Sequence, residues 1–70
     1  MVQAIGIDVG GTLTKVAFFD QNHQLNLLHF PSTDLYLVSE WITSYKEDIQ
    51  IGLTGGRAEQ LKTFLRSHEN

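Results

Sequence analysis

Apolar positions fall into short alternating runs in the first half of the chain and into helical stripes after it. Val2 to Ile7 is apolar at positions 2, 4, 5 and 7 around Gly6, a mix suited to a strand buried on both faces. Leu13 to Phe19 is a second run rich in Val and Phe, again a strand signal. The polar Asp20-Gln21-Asn22-His23-Gln24 between it and the next run reads as a turn, with Asn22 the expected left-handed residue. Leu25 to Phe30 then returns antiparallel and Pro31 ends it. The predicted strands cover about 2–8, 12–20 and 25–30.

Ser32-Thr33-Asp34 is a cluster of helix-capping side chains, which accept from the unpaired N–H groups of a first turn. Leu35, Val38, Ile42 and Tyr45 follow at spacings that place them on one helical face. Trp41 widens that face, while Glu40, Lys46 and Glu47 point to water. The helix is predicted over about 34–46. Asp48 to Leu53 alternates polar and apolar and gives a strand over about 49–54. After the glycine turn at Gly55-Gly56, Ala58, Leu61, Phe64 and Leu65 mark a second helix over about 57–68. Trp41 and the Phe residues are assigned to the core. The order is βββαβα. Two hairpins join the first three strands, and a helical crossover demands a parallel partner for the fourth. The expected sheet is mixed, of order 3-2-1-4, with only strands one and four parallel.

The chain has 70 residues, 41% of them hydrophobic, so one small domain with a marginal core is the most it can build. It has no cysteine, hence no disulfide and no thiolate metal site, which fits a reducing compartment. Its longest apolar run predicts neither a membrane span nor a signal peptide. Five Lys and Arg against eight Asp and Glu give a net charge of −3, which argues against a nucleic-acid surface. Any anion site must therefore be local. His23, His29 and His68 have no spacing that makes a metal ligand set.

Such a local site is suggested by Asp8-Val9-Gly10-Gly11-Thr12-Leu13-Thr14-Lys15, which joins the first two strands. Gly10 and Gly11 accept backbone angles that other residues resist, and consecutive N–H groups in such a turn form a concavity for an anion. Thr12 and Thr14 offer hydroxyl donors, and Lys15 a cation. Asp8 at the mouth suits a magnesium ion held through water. A plain hairpin turn would also explain both glycines. The string is neither a Walker loop nor a dinucleotide fingerprint, because it leads into a strand and lacks their spacing. Thr54-Gly55-Gly56-Arg57 is a second glycine turn, and it could face the same cleft. Arg57 reads as a solvated helix-start residue with a lesser claim on phosphate.

The Asp-x-Gly-Gly-Thr-x-x-Lys string resembles the first phosphate loop of the actin, sugar kinase and heat-shock ATPase superfamily. Ile5 to Val16, Leu53-Thr54-Gly55-Gly56 and the Trp41-Ile42 helix together resemble the start of a bacterial type II pantothenate kinase. Glucokinase-type proteins share Gly-Gly-Thr but follow it directly with Lys, where this chain has Leu13. The resemblance implies a ribonuclease H-like (actin-like) α/β half-lobe, incomplete, with residues 1–70 forming the N-terminal portion of a longer kinase lobe and no second domain. It implies ATP and Mg2+ at Asp8 to Lys15. It further implies transfer of the γ-phosphoryl group to pantothenate, the first step of coenzyme A biosynthesis, in a cytoplasmic homodimer.

The family's catalytic base is a Glu on the strand after the second helix, expected beyond Asn70, so no residue here is assigned as catalytic. Glu59 and Glu69 do not occupy that position. The 70-residue chain alone is expected to be inactive. Two alternatives stay open. One is another enzyme of the superfamily, a sugar kinase or an activator of a dehydratase. The other is a non-catalytic small domain that associates through its sheet edge.

Overall fold

In the computed structural model, residues 4–45 and 49–66 are described. Strands β1 (Ala4–Val9), β2 (Leu13–Phe19) and β3 (Leu25–Pro31) are followed by helix α1 (Leu35–Thr43), strand β4 (Gln50–Thr54) and helix α2 (Ala58–Arg66). The sheet order is β3-β2-β1-β4. β1 is antiparallel to β2, and β2 to β3, while β1 and β4 run parallel. Element order, sheet order and strand sense all follow the sequence expectation. Val2 and Gln3, Lys46 to Asp48, and Ser67 and His68 carried expected strand or helix ends and lie outside the described residues.

Both helices pack on one face of the sheet. Ile5, Ile7 and Val9 of β1 and Val16 of β2 meet Leu35, Val38 and Ile42 of α1 and Leu61 of α2. The i, i+3, i+7 spacing of the α1 residues puts all three on its buried side. Trp41 extends this contact over the hairpin: its ring lies 5.4 Å from Phe18 and 6.2 Å from Phe30, and Tyr45 stands edge-on at 5.3 Å. Both distances to the strands fall in the range where aromatic pairs attract.

No described element covers the other sheet face, and two expectations change with it. β1 is buried on one face only, with Ala4, Gly6 and Asp8 exposed between buried neighbours. Phe19 is 60% exposed, and Leu27 across from Ala17 is 63% exposed. Strand alternation sends Phe18 inward, so its neighbour must point out. Phe64 is also partly exposed on α2.

The two turns outside the site are built from different residues than expected. In the β2–β3 turn the left-handed residue is His23, with φ of 61°, and not Asn22. The Asp20 carboxylate organises this turn. It accepts from the amides of Asn22 at 2.8 Å and Gln24 at 3.1 Å and from the Asn26 side chain at 3.0 Å. These bonds, led by that from Asn26, hold the Asp20 carboxyl below the usual carboxylate range. Asp34 is the N-cap of α1 but makes no side-chain cap bond. Ser32 does not cap either; its side chain is buried under the sheet.

Candidate functional site

Parallel pairing of β1 and β4 brings their carboxyl ends side by side, with Asp8 opposite Thr54. Each strand leaves the sheet there through a glycine pair. Gly10–Thr12 leads back into β2, and Gly55-Gly56 leads into α2. The two glycine turns are thus neighbours, 45 positions apart along the chain, at the end of the sheet where ligands of open α/β folds bind.

The first turn is closed by the Gly10 amide, which donates to the Leu13 carbonyl at 3.1 Å. That donor is therefore committed to the hairpin. Neither Gly10 nor Gly11 is in the left-handed region; among the described glycines only Gly55 is, at φ +103°. Space is the requirement at Gly10, where a Cβ would stand 2.8 Å from the Leu13 carbonyl oxygen. At Gly11 a Cβ would meet nothing within 4 Å, so the surface there is open.

Three carbonyls of the turn face the fold. Val9 accepts from the Arg57 amide at 3.0 Å, Gly11 from the Arg57 guanidinium at 3.1 Å, and Thr12 from the Ser32 amide at 2.9 Å. Among the described residues, the Gly11 and Thr12 amides and the Thr12 hydroxyl have no protein partner. Carbonyls turned in and consecutive amides left over give the kind of backbone concavity that accepts an anion.

The side chains divide by strand alternation. Asp8, Leu13 and Lys15 are exposed on the open side, whereas Val9 and Thr14 are buried. Sheet register lines up His29, Lys15, Asp8 and Thr54 as a polar row across that open face. The row borders a depression of about 530 Å³ floored by Gly6, Ala17 and Gly52. No ion pair joins Asp8 to Lys15. Asp8 is the one carboxylate of this row, and among the described residues no cluster of three metal-ligating side chains exists. A single carboxylate suits Mg2+ held mainly by water and phosphate oxygens.

Thr14, expected as a hydroxyl donor to ligand, is instead hydrogen-bonded in the core. Its hydroxyl lies 2.8 Å from that of Ser32. The pair ties the β2 end of the turn to the segment leading into α1. Thr14→Val leaves the Ser32 hydroxyl buried and unpaired, and is expected to cost about 1–3 kcal/mol. Adding Ser32→Ala should recover much of that loss in a urea-unfolding cycle. Strictly additive losses would show that the two hydroxyls do not depend on each other.

Arg57 also departs from expectation: it is half-buried, and its side chain bridges the Gly11 carbonyl and the Gln60 side chain. The backbone amides at the start of α2 are equally engaged, that of Arg57 with the Val9 carbonyl and that of Ala58 with the Gly55 carbonyl. Gly55 sits tightly against β1, where an added Cβ would lie 2.7 Å from an Asp8 carboxylate oxygen.

Comparison with known proteins finds relatives over nearly the whole chain. Over 65 residues, 93% of its length, the chain is 40% identical to a type II pantothenate kinase of Bacillus cereus. It is 38% identical over the same share to that of Bacillus anthracis. To that of Oceanobacillus iheyensis it is 32% identical over 60 residues, 86% of the chain. The chain is similar to the N-terminal part of type II pantothenate kinases. It spans about a quarter of the length of these relatives, 24% of the first two and 22% of the third. No family model matches it.

Of the three stretches that carry the resemblance to type II pantothenate kinases, Ile5–Val16 and Leu53–Gly56 are the ones paired in the sheet, which sets their glycine turns side by side. Two residues of the site were not legible in advance. Ser32 is 18 positions from Thr14, too far for any local pattern. Gln60 follows Arg57 by three positions at a helix start, a spacing at which side chains meet.

Proposed function

We propose that this chain supplies the first phosphate-binding segment of an ATP-dependent pantothenate kinase with an actin-like, ribonuclease H-like lobe. The observation that carries the reading is the pair of partnerless amides at Gly11 and Thr12, set beside Lys15, Asp8 and the second glycine turn. The similarity to pantothenate kinases over 93% of the chain supports it independently.

In this reading the Gly11 and Thr12 amides and the Thr12 hydroxyl donate to ATP phosphate oxygens. Lys15 offsets phosphate charge. Asp8 orders hydrated Mg2+, and the Thr54–Arg57 turn borders the same cleft. Gly10 shapes the turn, and Val9 and Thr14 anchor it from the core. Magnesium supplies charge neutralisation when bound. Phosphoryl transfer depends chiefly on such positioning and charge stabilisation. No residue of the chain is assigned as the base that takes the proton of the pantothenate hydroxyl. The proposal places the enzyme in the coenzyme A pathway.

The test is the full-length gene product given Mg-ATP with pantothenate, a hexose or no acceptor, with the phosphorylated product identified by mass. Phosphopantothenate is the expected product, with no turnover by residues 1–70 alone. Hexose phosphate without phosphopantothenate would move the protein to another branch of the superfamily. Turnover by residues 1–70 alone would show that the base lies within them. No helix among the described residues is long and apolar enough to cross a membrane.

A further inference from the structure

We propose that Arg57 is a positioning residue, a clamp from the second glycine turn that fixes the peptide planes of the first. This rests on the phosphate-site reading of the Gly10–Thr12 turn. Arg57 holds that turn at two points: its amide donates to the Val9 carbonyl at 3.0 Å and its Nη1 to the Gly11 carbonyl at 3.1 Å. In a planar trans peptide the carbonyl and the following N–H point in opposite directions. Holding the Val9 carbonyl therefore aims the Gly10 amide away, and that amide is found on the Leu13 carbonyl. By the same rule, holding the Gly11 carbonyl aims the Thr12 amide away from Arg57, toward the open side where it has no protein partner.

The guanidinium is itself held. Its Nε donates to the Gln60 side chain at 2.8 Å, so the planar group is oriented by one edge while the other grips the turn. Arg is suited to this because its donors have fixed mutual geometry; an ammonium is a point charge on a flexible stem. Gly55 makes the grip possible. Its left-handed backbone and missing side chain let the second turn lie against Asp8 and Val9. Arg57 thus acts on ATP through the direction of the Thr12 amide, without needing to touch phosphate.

The test compares Arg57→Ala, Arg57→Lys, Gln60→Ala and Lys15→Ala in the full-length gene product, with kcat and KM measured separately for ATP and pantothenate. Misaimed donors should raise the ATP KM of Arg57→Ala roughly 10- to 100-fold, with the pantothenate KM unchanged. Lys should fail to restore it, free guanidinium ion should restore it in part, and Gln60→Ala should be intermediate. Wild-type ATP KM in Arg57→Ala, alongside a defective Lys15→Ala, would overturn the clamp and leave the phosphate site standing. Normal ATP kinetics in Lys15→Ala would instead remove the phosphate site. Full function of Arg57→Lys would reduce Arg57 to a charge and overturn the clamp. If Arg57→Ala does not fold, Gln60→Ala decides, because it removes only the orienting bond: an unchanged ATP KM there would overturn the proposal.

Discussion

Lys15→Ala in the full-length gene product is expected to lower kcat/KM for ATP by roughly 10²- to 10³-fold, the range seen when one aimed donor to developing charge is removed. The side chain stands on the open face of β2, directly across the ladder from Asp8. Among the described residues it has no ion pair, so no described carboxylate already neutralises its charge. Little structural cost should accompany its loss, because the residue is exposed. A thermal midpoint near that of the wild type, together with the kinetic defect, would locate the effect in the site. Gly11→Val should act by a different route. No described residue lies within 4 Å of a Cβ there, so the chain should fold, and the new side chain would occupy the space assigned to phosphate. Wild-type ATP kinetics in both variants would refute the assignment of Asp8 to Lys15.

The largest stability effect should come from Gly55→Ala. The residue has φ of +103°, and an added Cβ would stand 2.4 Å from the Val9 carbonyl oxygen and 2.7 Å from an Asp8 carboxylate oxygen. A side chain at positive φ is strained wherever it occurs, and here the nearest obstacle is the backbone of the central strand. The two costs together should reach about 3–5 kcal/mol. A domain of this size has only a few kcal/mol more than that in total, so the midpoint should fall by more than about 10 °C. Trp41, the only tryptophan in the chain, reports the transition. Gly56→Ala is the matched control: nothing lies within 4 Å of its Cβ, and a change within about 0.5 kcal/mol is expected. Equal midpoints for the two variants would show that the close approach of the second turn to β1 is not a structural requirement.

These contrasts mark how far the sequence could be read. Its hydrophobic periods were enough for element order, for the crossover to a parallel β4 and for the sheet order, since each follows from local spacing and short connections. The Asp8–Lys15 string pointed to a candidate site for a similar reason: its residue types are contiguous, so their chemistry is visible without folding. What the string did not disclose was which of its groups are available. Gly10 lost its amide to the hairpin, and Thr14 lost its hydroxyl to Ser32. Each partner depends on how the backbone turns, which residue type alone does not specify.

The sequence by itself determined the strand and helix periods, the glycine turns and the polar residues that surround them. Only the tertiary structure decided the rest. It buried one face of the sheet and left Phe19 and Leu27 outside, it brought Gly55 against Val9, and it laid Arg57 across the turn onto Gly11. The physical reason is separation. Helix and strand patterns arise from neighbours within a few residues, whereas the contact between Arg57 and Gly11 spans 46 positions. Such a contact exists only because β4 pairs in parallel beside β1, and no local preference of Arg57 or Gly11 encodes it.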